Sequence, residues 1–241
     1  MKIICVIPAR YASSRFPGKP LASICGKPMI WWTYQQAKKV PEFETVVVAT
    51  DDQRIKAACD DLGMDVIMTS DAHPTGTDRV AEIAGMIDGD LYVNIQGDEP
   101  LIDPASIQVL IEYFKAHPDA EVINTMTKVN DIEELERSSV VKVVYNSNND
   151  LIYLSRSIVP QKKCQEDVVY FRHMGLYGMT KAALMFFAKT PRGQVEKVED
   201  IEMLRFIENG KKVKILPIQG RAIAVDCPED IGKVEAAIAR G

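Results

Sequence analysis

Three basic side chains follow the first apolar run of the chain at short intervals. The run covers Ile3–Ile7 and ends at Pro8, and the cations are Arg10, Arg15 and Lys19. The alanine, serine and glycine residues between them allow the backbone to bend closely around a polyanion. Ligands of open α/β sheets bind just outside the carboxyl ends of strands, so this position favours a phosphate site over an ordinary cationic surface loop. Neither the Walker A pattern nor the G-x-G-x-x-G pattern is present there.

A carboxylate follows another predicted strand, Leu91–Gln96, in the sequence Gly97-Asp98-Glu99-Pro100. The glycine permits a tight turn, and Asp98 then lies at the sheet edge where phosphates are expected. A carboxylate that faces a polyphosphate is favourable only with a cation between them, and Mg²⁺ binds in this way through one or two carboxylates plus substrate phosphates. The alternative is a turn in which Asp98 caps its own backbone.

A polar loop, Thr69–Arg79, follows the short apolar strand pattern Asp65–Met68 and reads T-S-D-A-H-P-T-G-T-D-R. Its position after a strand predicts a loop that contacts substrate. Thr77 can equally cap a helix that begins at Asp78, and both interpretations can hold together. His73 is a lone loop histidine, and we expect it to be a solvated surface group.

Several of these motifs resemble those of one enzyme family. The run I-P-A-R-Y-A-S-S-R-F-P-G-K-P at residues 7–20, the G-K-P-M-I of residues 26–30 and the N-x-Q-G-D-E-P of residues 94–100 resemble the 3-deoxy-manno-octulosonate (Kdo) cytidylyltransferases. Related sialic-acid cytidylyltransferases usually carry a glycine-rich R-G-G-S-K-type run in the first loop, which this chain lacks. The resemblance implies an enzyme that activates Kdo or a close analogue with CTP, releasing pyrophosphate, for lipopolysaccharide or capsule biosynthesis.

The resemblance also implies which residues form the nucleotide and metal sites. Arg10, Lys19, Asp98 and Asp226 would be catalytic, and the two aspartates would hold the cofactor Mg²⁺. Asp226 belongs to V-D-C-P-E-D, which resembles the family's V-D-T-P-E-D; without a second carboxylate to join it, a simple helix cap would be preferred. The implied nucleotide-binding residues are Pro8, Ala9, Arg10, Ser14, Arg15, Lys19, Gly76, Thr77, Arg79 and Gln96. Catalysis would come from in-line positioning and charge stabilisation rather than a covalent protein intermediate.

The sugar site is implied by later motifs, S-R-S-I-V-P, R-H-M-G-L-Y-G and an E-M-L-R segment, which resemble sugar-binding segments of the same family. The implied contacts are Arg156, His173, Tyr177 and Glu202. A bidentate arginine suits the carboxylate of a 2-keto-3-deoxy sugar acid, and His173 and Tyr177 suit its hydroxyls. From the residues alone, the patterns favour a core or interface aromatic at Tyr177 and a structural histidine at His173. Met203 stands where the family usually has glutamine, which predicts either an altered sugar specificity or a methionine packed in the core.

Alternating strand and helix patterns position these loops. In the first half of the chain buried-strand patterns alternate with helical patterns, which predicts an α/β fold with a mostly parallel, Rossmann-like nucleotidyltransferase sheet and helices on both faces. Two strand patterns that flank Asn146–Asp150 predict a hairpin, and with it a small antiparallel lobe inserted at about 140–195 of a single domain 1–241. One amphipathic helix is predicted over Val195–Asn209.

Composition limits the partners. A net charge of -5 and a pI of 5.4 argue against a general nucleic-acid or anionic-membrane binder. Five cysteines without C-x-x-C spacing favour reduced thiols in the cytoplasm, and no apolar stretch approaches the ~18 residues of a membrane span. The resemblance implies a homodimer. The alternatives are a CMP-synthetase for another ulosonic acid (8-amino-Kdo or sialic-acid-like), a noncatalytic nucleotide-binding subunit, and a nicotinamide-dependent oxidoreductase, which the missing glycine fingerprint opposes.

Overall fold

The computed structural model describes residues 1–13, 16–163, 165, 167–219 and 223–240. The strands are β1 Ile3–Ala9, β2 Ser23–Ile24, β3 Lys27–Pro28, β4 Thr45–Thr50, β5 Val66–Met68, β6 Leu91–Ile95, β7 Val122–Lys128, β8 Lys142–Tyr145, β9 Leu151–Ser155, β10 Phe171–Met179 and β11 Lys214–Pro217. The helices are α1 Met29–Ala37, α2 Gln53–Asp61, α3 Gly76–Met86, α4 Pro104–Ala116, α5 Ile132–Glu136, α6 Lys181–Lys189, α7 Gln194–Glu199, α8 Leu204–Glu208 and α9 Asp230–Ile238. A 3₁₀ turn covers Lys19–Leu21.

One sheet contains all of these strands except β2 and β3, which pair with each other. Its order is β11-β7-β10-β6-β1-β4-β5, and β8 joins β10 and β9 at the side. β1 runs parallel to β4 and β6, β4 to β5, and β7 to β11. β10 lies antiparallel between β6 and β7, so those two strands also point the same way. The carboxyl ends of β1, β4, β5, β6, β7 and β11 therefore meet at one edge of the sheet.

Both faces of the sheet are buried. Along β1, Ile3, Cys5 and Ile7 belong to one apolar cluster and Ile4 and Val6 to another. A strand buried on both faces reads as a continuous apolar run, which is the pattern of this segment. The predicted α/β fold class is confirmed, with β10 as the strand that runs against its neighbours.

The antiparallel part is the hairpin β8–β9, which continues the sheet from β10. The Asn146 side chain accepts hydrogen bonds from the amides of Asn148 and Asp150, each at 2.9 Å. Asn149 has a φ of 57°, which asparagine tolerates better than most residues. These contacts fix the turn, as the asparagine-rich sequence between the two strand patterns predicts.

The helix predicted over Val195–Asn209 is wrong as a single element. It is divided into α7 and α8 by Asp200, which has a φ of 52°. The side chain of Arg156 takes the backbone carbonyls that a continuous helix would use: Nε donates to the Glu199 carbonyl at 2.6 Å and one terminal nitrogen to that of Asp200 at 3.1 Å. Val198, an apolar residue that the predicted amphipathic helix would bury, is 79% exposed.

Helix α3 begins two residues earlier than predicted. Thr75, not Thr77, is its N-cap, because the Thr75 hydroxyl accepts from the Asp78 amide at 3.2 Å. The amides of Gly76 and Thr77 at the helix start are therefore left for other partners. Within the described part of the chain, no helix has the length and apolar character needed to cross a membrane.

Candidate active site

Two adjoining cavities lie outside the carboxyl ends of β1 and β6, and both have Pro8, Ala9, Arg10 and Gln96 in their walls. We call them the lysine cavity and the histidine cavity. The lysine cavity is completed by Ser13, Lys19, Pro20, Gly97 and Asp98, and the histidine cavity by His73, Thr75, Gly76, Arg79 and Glu202. Of the predicted nucleotide-binding residues, the structure therefore brings together Pro8, Ala9, Arg10, Lys19, Gly76, Arg79 and Gln96, whereas Thr77 lines neither cavity.

Lys19 connects three segments of the chain at the lysine cavity. Its Nζ donates to Asp98 Oδ2 at 2.5 Å and to the Val225 carbonyl oxygen at 2.9 Å. The Val225 amide in turn donates to the Asp98 carbonyl oxygen at 3.0 Å. The loops after β1 and β6 and the segment before α9 are thus held together, which brings Asp226 into the neighbourhood of Lys19 and Asp98.

Two glycines allow these loops to approach. Gly18 has a φ of 72°, in the left-handed region that favours glycine, so the chain turns sharply just before Lys19. A Cβ added at Gly97 would lie 3.1 Å from the Pro8 carbonyl oxygen, which is closer than most Cβ contacts. The loop after β6 can therefore lie directly against the loop after β1, and Asp98 reaches Lys19.

Arg10 is exposed and lies in the wall shared by the two cavities. With Lys19 it places two cations around one space, which is suited to a polyphosphate. The predicted nucleotide contacts Ser14 and Arg15 lie outside the described residues.

Glu202 joins the histidine cavity to the start of α3. Its carboxylate accepts from the amides of Gly76 at 2.9 Å and Thr77 at 3.1 Å, and it also accepts from the Thr77 hydroxyl. The pKa of Glu202 is raised, because burial outweighs the effect of these hydrogen bonds. A carboxylate at a helix N-terminus is favourable. The residue predicted to bind sugar therefore has partners at the start of α3.

Arg79 is similarly engaged by protein groups. Its guanidinium donates to Asp51 Oδ2 at 2.9 Å, to the Thr69 hydroxyl and to the Ser70 carbonyl oxygen at 3.3 Å. The side chain is only 3% exposed. These contacts tie the loop after β5 to the end of β4, and a direct contact between Arg79 and a nucleotide stays a prediction.

A third space, the Asp226 cavity, shares Asp98 with the lysine cavity and has a volume of about 480 Å³. Asp98, Glu99, Asp226, Arg172 and His173 are among the residues that line it. Its volume lies in the range of small-molecule sites. Since Asp98 lines both this space and the lysine cavity, a ligand in one can meet a ligand in the other.

Glu99 is a candidate site residue that the sequence reasoning did not single out. It is 4% exposed, its Oε1 accepts from the Gly175 amide at 3.4 Å, and its Oε2 has no hydrogen-bond partner among the described residues. Burial, reinforced by the neighbouring Asp98 carboxylate, raises the pKa of Glu99 to about 7. The available signal was the pair of adjacent acids after Gly97.

His173 and Tyr177 project from β10 on the same face as Asn124. The His173 ring accepts from Asn124 Nδ2, with Nε2 2.9 Å away. Burial, with the charges of Arg156 and Arg172, lowers the pKa of His173 to about 3, so the ring is neutral. Burial and the nearby carboxylates raise the pKa of Tyr177. Both residues are well suited to hydrogen-bond a neutral hydroxyl rather than a charged group.

Arg156 is not brought into the Asp226 cavity wall. Its guanidinium donates to the backbone carbonyls of Ser138, Glu199 and Asp200, and it lines a separate hollow with Ser138, Ser139 and Asp200. The predicted bidentate contact with a sugar carboxylate would require these hydrogen bonds to be exchanged. Through these hydrogen bonds Arg156 holds the break between α7 and α8.

Comparison with known proteins assigns this arrangement to a family. A family model described as cytidylyltransferase matches residues 4–213. The chain belongs to the cytidylyltransferase family. It is 43% identical over 243 residues to the 8-amino-3,8-dideoxy-manno-octulosonate cytidylyltransferase of Shewanella frigidimarina, covering 99% of each chain, and 42% identical over 245 residues to that of Shewanella sp. (strain W3-18-1), covering 100% of each.

Solved structures agree with this assignment. The structure of CMP:2-keto-3-deoxy-manno-octonic acid synthetase complexed with CTP superposes with a TM-score of 0.93 at 37% identity, covering 100% of this chain and 99% of that one. A cytidylyltransferase from Leptospira borgpetersenii shares the fold at 18% identity with a TM-score of 0.68, covering 100% of this chain and 88% of that one. This cytidylyltransferase is an enzyme of the nucleotidyltransferase class, and the oxidoreductase alternative is wrong.

The residues present could bind Mg²⁺ only together with substrate phosphates, because they supply no complete set of metal ligands. Among the described residues no group of three or more histidine, cysteine, aspartate or glutamate side chains could hold a metal ion. Asp98 and Asp226 line one cavity, and Asp98 also faces the cationic wall of the lysine cavity. Mg²⁺ commonly uses one or two carboxylates and completes its shell with phosphate and water, which is what this pair can supply.

Proposed function

We propose that this cytidylyltransferase transfers CMP from CTP to the anomeric hydroxyl of a 3-deoxy-manno-octulosonate acid, and that the 8-amino-3,8-dideoxy form is its preferred substrate. The observation that carries the reaction is the junction of Lys19, Asp98 and Val225, which unites a cationic wall and a carboxylate pair at one sheet edge. Kdo itself, which the sequence resemblance favours, is the second candidate. The full-length relatives named for the 8-amino sugar support the first.

The Asp226 cavity is lined by many charged side chains. Among its described lining residues are six carboxylate side chains against three cationic ones. Two of the cations are paired within the wall: Arg172 Nε lies 2.7 Å from Glu134 Oε1, and Lys233 Nζ lies 2.7 Å from Asp230 Oδ1. Asp98 is paired with Lys19, Glu99 has a pKa of about 7, and Asp98 and Asp226 are the proposed ligands of Mg²⁺, so the wall keeps no net negative charge that would select an ammonium group. The proposal of an 8-amino sugar is supported by the relatives named for that sugar.

The nucleotide would lie with its phosphates in the lysine cavity. Arg10 and Lys19 neutralise the triphosphate, and they stabilise charge that shifts toward pyrophosphate as the bond to the α-phosphorus breaks. Asp98 and Asp226 would hold Mg²⁺, which would supply further charge neutralisation. The junction that Lys19 forms with the β6 loop orients these groups before substrate arrives, which lowers the cost of assembling them.

The sugar would lie in the Asp226 cavity, within reach of the phosphate end. His173 lines that cavity in its neutral form. Contacts of the sugar with Tyr177, Glu202 and Arg156 stay predictions, as do the homodimer and the cytoplasmic location that the resemblance implies.

The test is pyrophosphate release measured with CTP, UTP, ATP and GTP against Kdo, its 8-amino analogue and a sialic acid. We expect release with CTP and with both octulosonates. We expect kcat/KM to be roughly 10-fold or more higher for the 8-amino form, because a site built for one polar group discriminates against an analogue that lacks it. Preference for the sialic acid, or equal rates with all four nucleotides, would contradict the proposal.

Met203→Gln is expected to lower stability and leave sugar preference unchanged. Met203 is fully buried in the apolar cluster that includes Ile201 and Leu204. An amide placed there lacks partners, so we expect a loss of about 1–3 kcal/mol, measured by chemical denaturation. Met203→Leu, which conserves volume, is the control and should cost less than ~1.5 kcal/mol. A changed ratio of kcat/KM for the two octulosonates would show instead that this methionine reads the sugar.

A further inference from the structure

The cationic loop, residues 10–19, begins with Arg10 and ends with Lys19, and both of these residues line the lysine cavity. The Gly18 amide donates to the Tyr11 carbonyl oxygen at 2.9 Å, which joins the residues that lie next to the two cations. The position of one cation relative to the other therefore depends on how Tyr11 and Gly18 are held.

The Tyr11 ring lies directly against Gly18. A Cβ added at Gly18 would lie 3.0 Å from Cζ and 3.1 Å from Cε2 of that ring, which is closer than most Cβ contacts. Gly18 also has a left-handed backbone conformation, which favours glycine. The glycine thus lets the ring approach the backbone at the point where the chain turns toward Lys19.

Arg54, at the start of α2, covers the Tyr11 ring. Its guanidinium carbon lies 3.3 Å from the ring centroid, as in a stacked cation–π pair. The guanidinium is itself oriented by Asp52, because Nε and one terminal nitrogen donate to the two carboxylate oxygens at 2.9 and 2.6 Å. Asp52 is also the N-cap of α2. The start of this helix therefore restrains the ring from the side that Gly18 does not cover.

The pair of Arg54 and Tyr11 contacts the loop and not the space inside it. Neither residue is among the described residues that line the lysine and histidine cavities. The Arg54 side chain is 60% exposed, and Tyr11 packs against the apolar cluster that includes Ile7. Any effect of this pair on a bound ligand has to pass through the cations of the loop.

The other end of the cationic loop is anchored separately. Phe16 packs against the apolar cluster that contains Met29 and Val225, and its carbonyl oxygen accepts from the Lys19 amide at 3.2 Å. The part of the loop that leads to Lys19 thus has its own support. Loss of Arg54 should loosen the Tyr11 end without detaching the loop from the protein.

We infer that Arg54 and Tyr11 are positioning residues for the triphosphate of CTP. Arg54, oriented by Asp52, holds the Tyr11 ring against Gly18, and this contact keeps the two ends of the cationic loop together before the nucleotide binds. A loop that is already held in its binding conformation loses less conformational freedom on binding, so its affinity for the triphosphate is higher. This inference rests on the proposed function.

Arg54→Met removes the guanidinium and keeps much of the side-chain length. We expect the KM and the dissociation constant for CTP to rise roughly 2- to 5-fold, the effect of one exposed cation–π contact. The KM for the sugar and kcat at saturating CTP should change little, because the contacts of Lys19 with Asp98 and Val225 are kept. Arg54→Lys keeps the charge but loses the planar stacking, and its effect should be intermediate.

Tyr11 provides the other half of the test. Tyr11→Leu should raise the dissociation constant for CTP at least as much as Arg54→Met, and Tyr11→Phe, which keeps the ring, should raise it less. The double variant Arg54→Met with Tyr11→Leu should be little worse than Tyr11→Leu alone, because both substitutions remove the same contact.

Hydrogen exchange of the Gly18 amide, followed by NMR, reports on the loop without any reaction. In the absence of nucleotide, Arg54→Met should speed this exchange roughly 2- to 5-fold, because the hydrogen bond to the Tyr11 carbonyl opens more often. Saturating CTP should restore much of the protection. A residue that only supports the fold would change the thermal midpoint instead, which we expect to stay nearly constant.

Lys56→Met is the matched control. Lys56 lies on the same helix and is paired with Asp60, with Nζ 2.6 Å from Oδ2, so this variant removes one cation of α2 that does not cover Tyr11. It should change neither the dissociation constant for CTP nor the exchange at Gly18. An equal weakening of CTP binding in Lys56→Met would show that Arg54 acts through its charge alone.

That outcome, unchanged Gly18 exchange in Arg54→Met, or additive losses in the double variant would each overturn the inference. Failure of the proposed function gives a different result. If the unaltered protein binds no CTP, the proposed function fails, whereas the exchange at Gly18 still decides whether Arg54 holds the loop.

Discussion

Lys19→Ala is expected to lower kcat for pyrophosphate release roughly 100-fold or more at saturating CTP and sugar, the scale of losing one group that stabilises charge in the transition state. Lys19 Nζ is held by Asp98 and the Val225 carbonyl, so the cation is already positioned before substrate binds. Lys19 begins the 3₁₀ turn Lys19–Leu21 and belongs to none of the apolar clusters, so the fold should persist. The measurement is a steady-state assay, with circular dichroism to verify folding.

Lys27→Ala is the control for that experiment. Lys27 lies in the same part of the chain and is exposed, with Nζ 5.7 Å from the centre of the Trp31 ring. Its removal should leave kcat unchanged. The ion pair between Lys19 and Asp98 gives a second expected result: without Lys19, the neighbouring carboxylate has lost its cation, and Mn²⁺ should bind more tightly in the absence of nucleotide. Near-normal kcat in Lys19→Ala would remove this lysine from the catalytic groups.

The features that could be predicted from sequence are those set by local patterns. The apolar run of β1 is buried on both faces, and the cationic loop and the Gly97-Asp98 turn follow strands that are parallel neighbours. Parallel neighbouring strands end at the same edge, so the two loops had to meet. Gly18 and Gly97 could also be predicted as turn residues, because glycine permits turns and close backbone approach.

The features that could not be predicted depend on contacts between distant segments. β10 enters the sheet between β6 and β7, a pairing that no local pattern specifies. Arg156 divides a helical pattern more than forty residues later by binding the carbonyls of Glu199 and Asp200. A strong helical pattern was overridden because tertiary contacts outweigh propensities of a few tenths of a kcal/mol per residue.

The sequence also could not show which predicted ligand-binding side chains are hydrogen-bonded to protein groups. The motifs predict that Arg79 and Glu202 bind ligands. In the structure both side chains are hydrogen-bonded to protein groups at the edge of the histidine cavity. The converse holds for His73, for which the prediction of a solvated surface group is wrong: its side chain lines the histidine cavity and contacts Glu82 nine positions later. Sequence identifies a polar residue, but the partner that saturates or orients it is fixed by the fold. Spare hydrogen-bonding capacity therefore has to be read from the structure.

Asp98→Asn and Asp226→Asn are each expected to raise the Mg²⁺ concentration needed for half-maximal activity, because each change removes an anionic ligand from a hard oxygen site. Each should also lower the limiting kcat roughly 100-fold or more, because a charge-stabilising group is lost with that ligand. Both residues line the Asp226 cavity. If they hold one metal complex, the double variant should be little worse than either single variant, since the second substitution acts on a site that is already lost.

The two substitutions differ in one respect that the structure makes testable. Asp98 also carries the ion pair with Lys19, so Asp98→Asn should lower the thermal midpoint slightly, and combining it with Lys19→Ala should restore part of that loss. Asp61→Asn, at an exposed site on α2, is the control and should change neither activity nor Mg²⁺ dependence. Calorimetric titration of Mn²⁺ in the presence of CTP gives a readout independent of turnover. Full activity in the presence of a chelator, or additive losses in the double variant, would refute a shared metal site. The two aspartates would then act separately, Asp98 on Lys19 and Asp226 on the sugar.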